Sequence, residues 1–167
     1  EEQLLNSGFQ SHPTTSYDKS LCLVPDEVLQ FIQESQPKEY KKLENQFGSQ
    51  TSEKLLNRIS SEIETRGLIE VLRNEIKIRG CHFRLVYFEP KSGLNPKHHE
   101  LYQKNHFSLI RQLKYSENNE NSVDLGIFIN GIPISIIELK NSLTGQNHID
   151  GEKQFKSRDP NEPLFRF

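Results

Sequence analysis

The chain changes its hydrophobic period part-way along, from a helical spacing in its first half to a strand-like one in its second. Val28, Phe31 and Ile32 recur at i, i+3, i+4 behind Val24-Pro25-Asp26-Glu27, where a proline in the first turn and two acids at the positive end of the dipole predict a helix start. The charged stretch Lys38–Lys42 reads as a solvated face, and Gly48-Ser49-Gln50-Thr51 as a break. Leu55, Leu56, Ile59 and Ile63 then predict an amphipathic helix over 52–65, followed by Leu68–Leu72 as a second short helix or an extended piece. Ahead of these, residues 1–24 carry turn formers and no sustained period, which predicts an irregular arm with a short helix at Glu2–Ser7.

From Cys81 the pattern turns to strand formers, with Phe83, Leu85, Val86, Tyr87 and Phe88 in one run. Pro90–His99 reads as a loop, Phe107–Tyr115 as a strand, Ser116–Asn121 as a polar turn and Val123–Lys140 as an apolar hairpin. Gln146–Arg158 reads as a helix, and the final Pro-Leu-Phe-Arg-Phe as the approach to another strand. Helix, strands and helix in that order predict an α/β fold whose mixed β-sheet is flanked by helices. The expected division is 1–48, an N-terminal arm and helix packing on the core, and 49–167, the core itself.

The hairpin carries the candidate chemistry. Asp124 and the triplet Glu138-Leu139-Lys140 place two carboxylates and an amine at the end of strands that are otherwise isoleucine-rich. A buried ionised carboxylate costs several kcal/mol unless a metal or an opposite charge compensates it. Glu138 and Lys140 share a face by parity, and the turn decides whether Asp124 joins them. A plain two-residue Asn130-Gly131 turn pairs Ile129 with Ile132 and Asp124 with Ile137, which leaves Glu138 on the other face. A three-residue loop with Gly131 left-handed, or another bulge, brings Asp124, Glu138 and Lys140 together, and this is the arrangement expected here. Two converging carboxylates suit a hard dication such as Mg²⁺, and a neighbouring lysine can orient a water or stabilise charge developing on phosphorus. The alternative reading of the same residues is an exposed strand start and a solvated strand end.

Composition narrows the class only slightly. A length of 167 residues suits one domain, and 21 Lys+Arg against 23 Asp+Glu leave a net charge of −2 that announces no nucleic-acid partner through the overall field. Two distant cysteines, Cys22 and Cys81, with no apolar run of about 18 residues and no leader pattern, suggest a reduced, cytoplasmic protein without a membrane segment. The absence of Met and the abrupt ends suggest a piece of a longer polypeptide. His98-His99 and His106 lack ligand spacing and read as loop residues; no Walker A, dinucleotide loop or Ser/His/Asp arrangement occurs, so ATP is not expected to bind here.

Residues 123–140 resemble the PD-(D/E)xK nuclease motif. Arg66-Gly67 through Arg73, Tyr102 to Phe107, the Val123–Asn141 run, Thr144-Gly-Gln146 and Gln154–Phe167 together resemble the N-terminal region of type I restriction enzyme R subunits, over about residues 53–167. The resemblance implies a PD-(D/E)xK restriction-endonuclease-like core that cuts double-stranded DNA with Mg²⁺. In the full subunit it would be joined to an ATP-driven translocase and assembled with methyltransferase and specificity subunits. It also implies Asp124 and Glu138 as metal ligands and catalytic residues, and Lys140 as the catalytic lysine.

The family pattern places a Gln and, four residues on, a Tyr on the next helix; Gln154 fits the first, and Arg158 stands at the second. Gln154, Lys153, Lys156 and Arg158 are thus candidates for DNA contact or support, and Glu62 or Glu64 for a further acid. A catalytically silent DNA-binding or subunit-docking module of the same fold is the alternative function. A nuclease of this fold from another system, such as a resolvase or a helicase-fused repair enzyme, is a third.

Overall fold

The computed structural model describes residues 2–93, 95–139 and 148–166. Among them, helices α1 (Glu2–Asn6), α2 (Pro25–Ser35), α3 (Pro37–Phe47), α4 (Thr51–Arg66), α5 (Leu68–Arg73), α6 (Pro96–Tyr102), α7 (His148–Lys156) and α8 (Pro163–Arg166) accompany two sheets. Strands β1 (Gln10–His12), β4 (Phe107–Lys114), β5 (Ser122–Ile129) and β6 (Ile132–Ile137) form a four-stranded sheet in the order β1-β4-β5-β6. The pair β1/β4 is parallel and the others antiparallel, so the sheet is mixed. Strands β2 (Ile76–Ile78) and β3 (Cys81–Phe83) make a separate antiparallel ribbon.

The helical stripes bury what their spacing predicts. Val28, Phe31 and Ile32 of α2 meet Leu55, Leu56, Ile59 and Ile63 of α4 in one hydrophobic cluster that also takes in Phe83 of β3 and Ile132 of β6. A second cluster joins Ile110 and Leu113 of β4 to Val123 and Phe128 of β5, together with Tyr17, Tyr115 and Leu164. No helix among the described residues is long and apolar enough to cross a membrane.

Several local expectations are corrected. The arm before Pro25 contributes β1 to the sheet, and Lys19 Nζ donates to the Ser116 carbonyl at 2.7 Å while Val24 N–H donates to that of Gly131 at 2.8 Å. A three-residue strand is too short to leave a periodic signal, and its partner lies about a hundred residues away. The run from Cys81 to Phe88 is strand only to Phe83: its ladder partner β2 is three residues long, although Leu85 and Val86 remain buried. Within Pro90–His99, Pro96 takes the first turn of α6 behind Asn95, which converts the expected loop into helix. The apolar stretch at Pro163 is helix α8, and its Leu164 seals the second cluster.

Candidate functional site

Geometry at the candidate site is set first by the hairpin tip. Ile129 pairs with Ile132, so the turn is the two-residue Asn130-Gly131 kind, and both residues are left-handed, with φ of 51° and 77°. This is the primed turn whose twist matches antiparallel strands. Gly131 is required twice over, because a Cβ there would lie 2.5 Å from the Val24 carbonyl and 2.8 Å from the Val28 nitrogen. Asn130 is fully buried and its side chain is satisfied: Oδ1 accepts from His106 N–H at 2.7 Å, while Nδ2 donates to the Leu85 carbonyl at 2.9 Å and to Asn105 Oδ1 at 3.0 Å.

The three-residue loop is therefore not the one used, yet the parity it was needed for is reached by another route. Phe128 pairs with Pro133 but Ile127 pairs with Ser135, which leaves Ile134 as an extra residue in β6. Pro133 has no N–H for the ladder, and a bulge beside it accommodates that loss. Beyond the bulge Gly126 pairs with Ile136 and Leu125 with Ile137, where the ladder ends; Asp124 and Glu138 are the residues next in line on the two chains.

Each carboxylate is held by named donors. Leu139 N–H donates to Asp124 Oδ2 at 2.8 Å and Gln112 Nε2 to Oδ1 at 3.0 Å. Arg158 Nη2 donates to Glu138 Oε1, and Gln154 Nε2 to Oε2 at 3.3 Å. The Glu138 and Arg158 side chains are only 4% and 9% exposed. The guanidinium also donates to Tyr115 Oη at 2.6 Å and to the Ser122 carbonyl at 3.1 Å, and it lies 5.2, 5.6 and 5.9 Å from the ring centroids of Tyr115, Phe155 and Phe165. A planar, weakly hydrated guanidinium suits such an aromatic cage, and its charge compensates the buried carboxylate.

The remaining candidates fall in different places. Lys140 lies outside the described residues. Gln154 faces Glu138, Lys153 is exposed, and Lys156 pairs with Glu152 on its own helix. Glu62 is clamped between Arg58 and Arg66 at 2.5 and 2.7 Å, and Glu64 meets Arg166 at 3.0 Å. Among the described residues no third acid, histidine or cysteine joins Asp124 and Glu138 in a group of three. His98 and His99 are exposed on α6, and His106 lies 3.5 Å from Glu34.

An open groove of about 610 Å³, lined by Arg58, Arg66, Arg73, Lys77 and Arg84 beside Glu62 and Glu75, shares no lining residue with the carboxylate pair. Sequence reasoning did not single out Gln112, because one glutamine in a strand carries no periodic signal; its adjacency to Asp124 comes from strand pairing.

The family described as type I restriction enzyme R protein N terminus matches residues 26–167. The chain belongs to this family. Over 66 residues it is 39% identical to a protein of Methanocaldococcus jannaschii described as a putative type I restriction enzyme MjaVIIP endonuclease subunit. That stretch is 38% of this chain and 6% of the relative, so the match spans only a small part of that protein's length. No solved structure matches the chain.

Proposed function

We propose that this R-subunit N-terminal region is a Mg²⁺-dependent endonuclease domain of the PD-(D/E)xK type that cleaves phosphodiester bonds of double-stranded DNA. The observation that supports the reading is the bulged register, which pairs Leu125 with Ile137 and, continued by one step, would bring Asp124 opposite Glu138; Leu139 N–H on Asp124 Oδ2 at 2.8 Å agrees with it. Family membership supplies the context of a restriction complex.

The donor set fits the cation: two carboxylates are hard oxygen ligands, and Mg²⁺ is commonly held by one or two of them with water completing its shell. A carboxylate offers about four lone-pair directions, so one already held by a hydrogen-bond donor still has capacity for a cation. When bound, the ion supplies Lewis acidity to a phosphoryl oxygen and acidity to a coordinated water. The chain's own residues do the positioning. Asp124 and Glu138 bind, Gln154 and Arg158 fix the Glu138 oxygens, and Lys140 orients the attacking water or stabilises charge on the phosphoryl group. Lys153 and Lys156, on the helix after the site, supply contacts to DNA phosphates.

In this reading the chain acts in the cytoplasm as part of a longer subunit whose motor binds ATP, with methyltransferase and specificity subunits as partners. The test is plasmid cleavage by the assembled complex with ATP and Mg²⁺. Asp124→Ala and Lys140→Ala are expected to abolish cleavage while ATP hydrolysis continues. Unaltered cleavage in both variants refutes the assignment and leaves the docking module of the same fold as the better account.

A further inference from the structure

Among the described residues, four other than glycine have left-handed backbone, and Gln112 differs from the rest in where it stands. Cys22, Arg79 and Asn130 lie outside the strands, whereas Gln112, with φ of 46°, lies inside β4. The β4/β5 ladder runs from Phe107 opposite Ile129 to Lys114 opposite Ser122, and its register places Gln112 across from Asp124. That step alone is missing from the ladder. A left-handed glutamine in a central strand is unfavourable, and such residues persist where the surroundings enforce them.

The side chain indicates what the unusual backbone achieves. Gln112 Nε2 donates to Asp124 Oδ1 at 3.0 Å, and Gln112 Oε1 accepts from Ser122 Oγ at 3.3 Å. The serine hydroxyl thus orients the amide so that its N–H faces the aspartate. With Leu139 N–H on Oδ2 at 2.8 Å, both carboxylate oxygens are held from two directions, one from β4 and one from the segment that follows β6. Gln112 is exposed, so stability gained from this single hydrogen bond is a poor reason for a strained backbone.

We infer that Gln112 is a positioning residue: its amide fixes the Asp124 carboxylate in the orientation that takes the divalent cation. The inference rests on the proposed nuclease reading, since it gives Asp124 a ligand's role. Donors that orient a ligating carboxylate typically change metal affinity by 10–100-fold when removed.

Gln112→Gly separates this role from a structural one. Glycine adopts the left-handed conformation without strain, so the variant is expected to unfold at the same temperature as the wild type or higher. Calorimetric titration of the purified protein with Mn²⁺ is expected to show affinity about tenfold lower in Gln112→Gly. Cleavage by the assembled complex is expected to recover as metal is raised, so that the metal requirement changes more than the saturated rate. Gln112→Ala is expected to weaken Mn²⁺ binding similarly while unfolding at a lower temperature.

Mn²⁺ affinity within twofold of wild type in both variants overturns the positioning role and leaves the nuclease reading intact. A wild type whose Mn²⁺ binding is absent, or is unchanged by Asp124→Asn, overturns both.

Discussion

Two arginine–glutamate clusters in this molecule use the same chemistry in opposite settings. On α4, Arg58, Glu62 and Arg66 are spaced four apart, and Glu62, 13% exposed, is neutralised by side chains one turn away on the same helix. At the sheet, Glu138 is 4% exposed and its arginine comes from 20 residues further along, wedged among three aromatic rings. The first cluster is a local consequence of helical spacing. The second exists only because the sheet and the segment after α7 converge, and it holds the carboxylate proposed above as a metal ligand. Neutralisation by a neighbour on the same helix therefore says little about function. A distant, buried partner assembled around one carboxylate says more.

The comparison breaks most sharply at Arg158. Removing one partner of a buried pair typically costs about 3–5 kcal/mol, because the remaining charge stays desolvated. Arg158→Leu is expected to lose stability in that range, read from the denaturant midpoint, whereas Arg58→Ala is expected to shift it by less than about 1 kcal/mol. Equal losses would show that the two clusters are energetically alike.

A smaller effect is expected at the turn that sets the register. Gly131→Ala places a Cβ against the Val24 backbone in a left-handed residue and is expected to cost about 2 kcal/mol or more. Loss of the backbone register shifts around Asp124 and Glu138 in an NMR spectrum would accompany it if the tip governs the pair.

The smallest is a pH effect on the basic side of the molecule. The hydrogen bond from His82, helped by Arg84 and opposed by burial, holds the Glu75 carboxyl below its ordinary range. A depressed carboxyl contributes stability that is fully present above the unfolded value of about 4.3 and is lost as pH falls through the folded value. Between pH 7 and pH 3, Glu75→Gln is therefore expected to lose slightly less stability than the wild type, measured as the change in unfolding temperature. An identical pH profile would place the contribution of this pair at zero.

Much of the architecture is legible in local patterns. Pro25 with Asp26 and Glu27 marks the start of α2, the Leu55–Ile63 stripe outlines α4, and alternation with an Asn-Gly turn marks β5 and β6. Of the candidate site, Asp124 and Glu138 were visible as charge in an apolar hairpin, and Arg158 as the residue where the family pattern has tyrosine. A bulged hairpin that brings the two acids together was expected, but the type of turn and the position of the bulge were not legible. The turn is the two-residue kind, and the extra residue at Ile134 shifts the register so that Leu125 meets Ile137. Strand β1 escaped notice because three residues paired with a distant strand have no period of their own. Gln112 escaped because neither its backbone angle nor its partner follows from its neighbours in the chain.

The sequence by itself determined what propensity and periodicity can encode over a few residues: the principal helices, the strands on either side of Asn130-Gly131, and which charges sit among hydrocarbon. Tertiary structure alone decided which charges distant in sequence meet. A bulge of one residue flips side chains between the faces of a sheet, and an arginine 20 residues away acquires its partner only when aromatic rings from Tyr115, Phe155 and Phe165 close around it. Both depend on packing between elements, whose energies come from desolvation that no local pattern records.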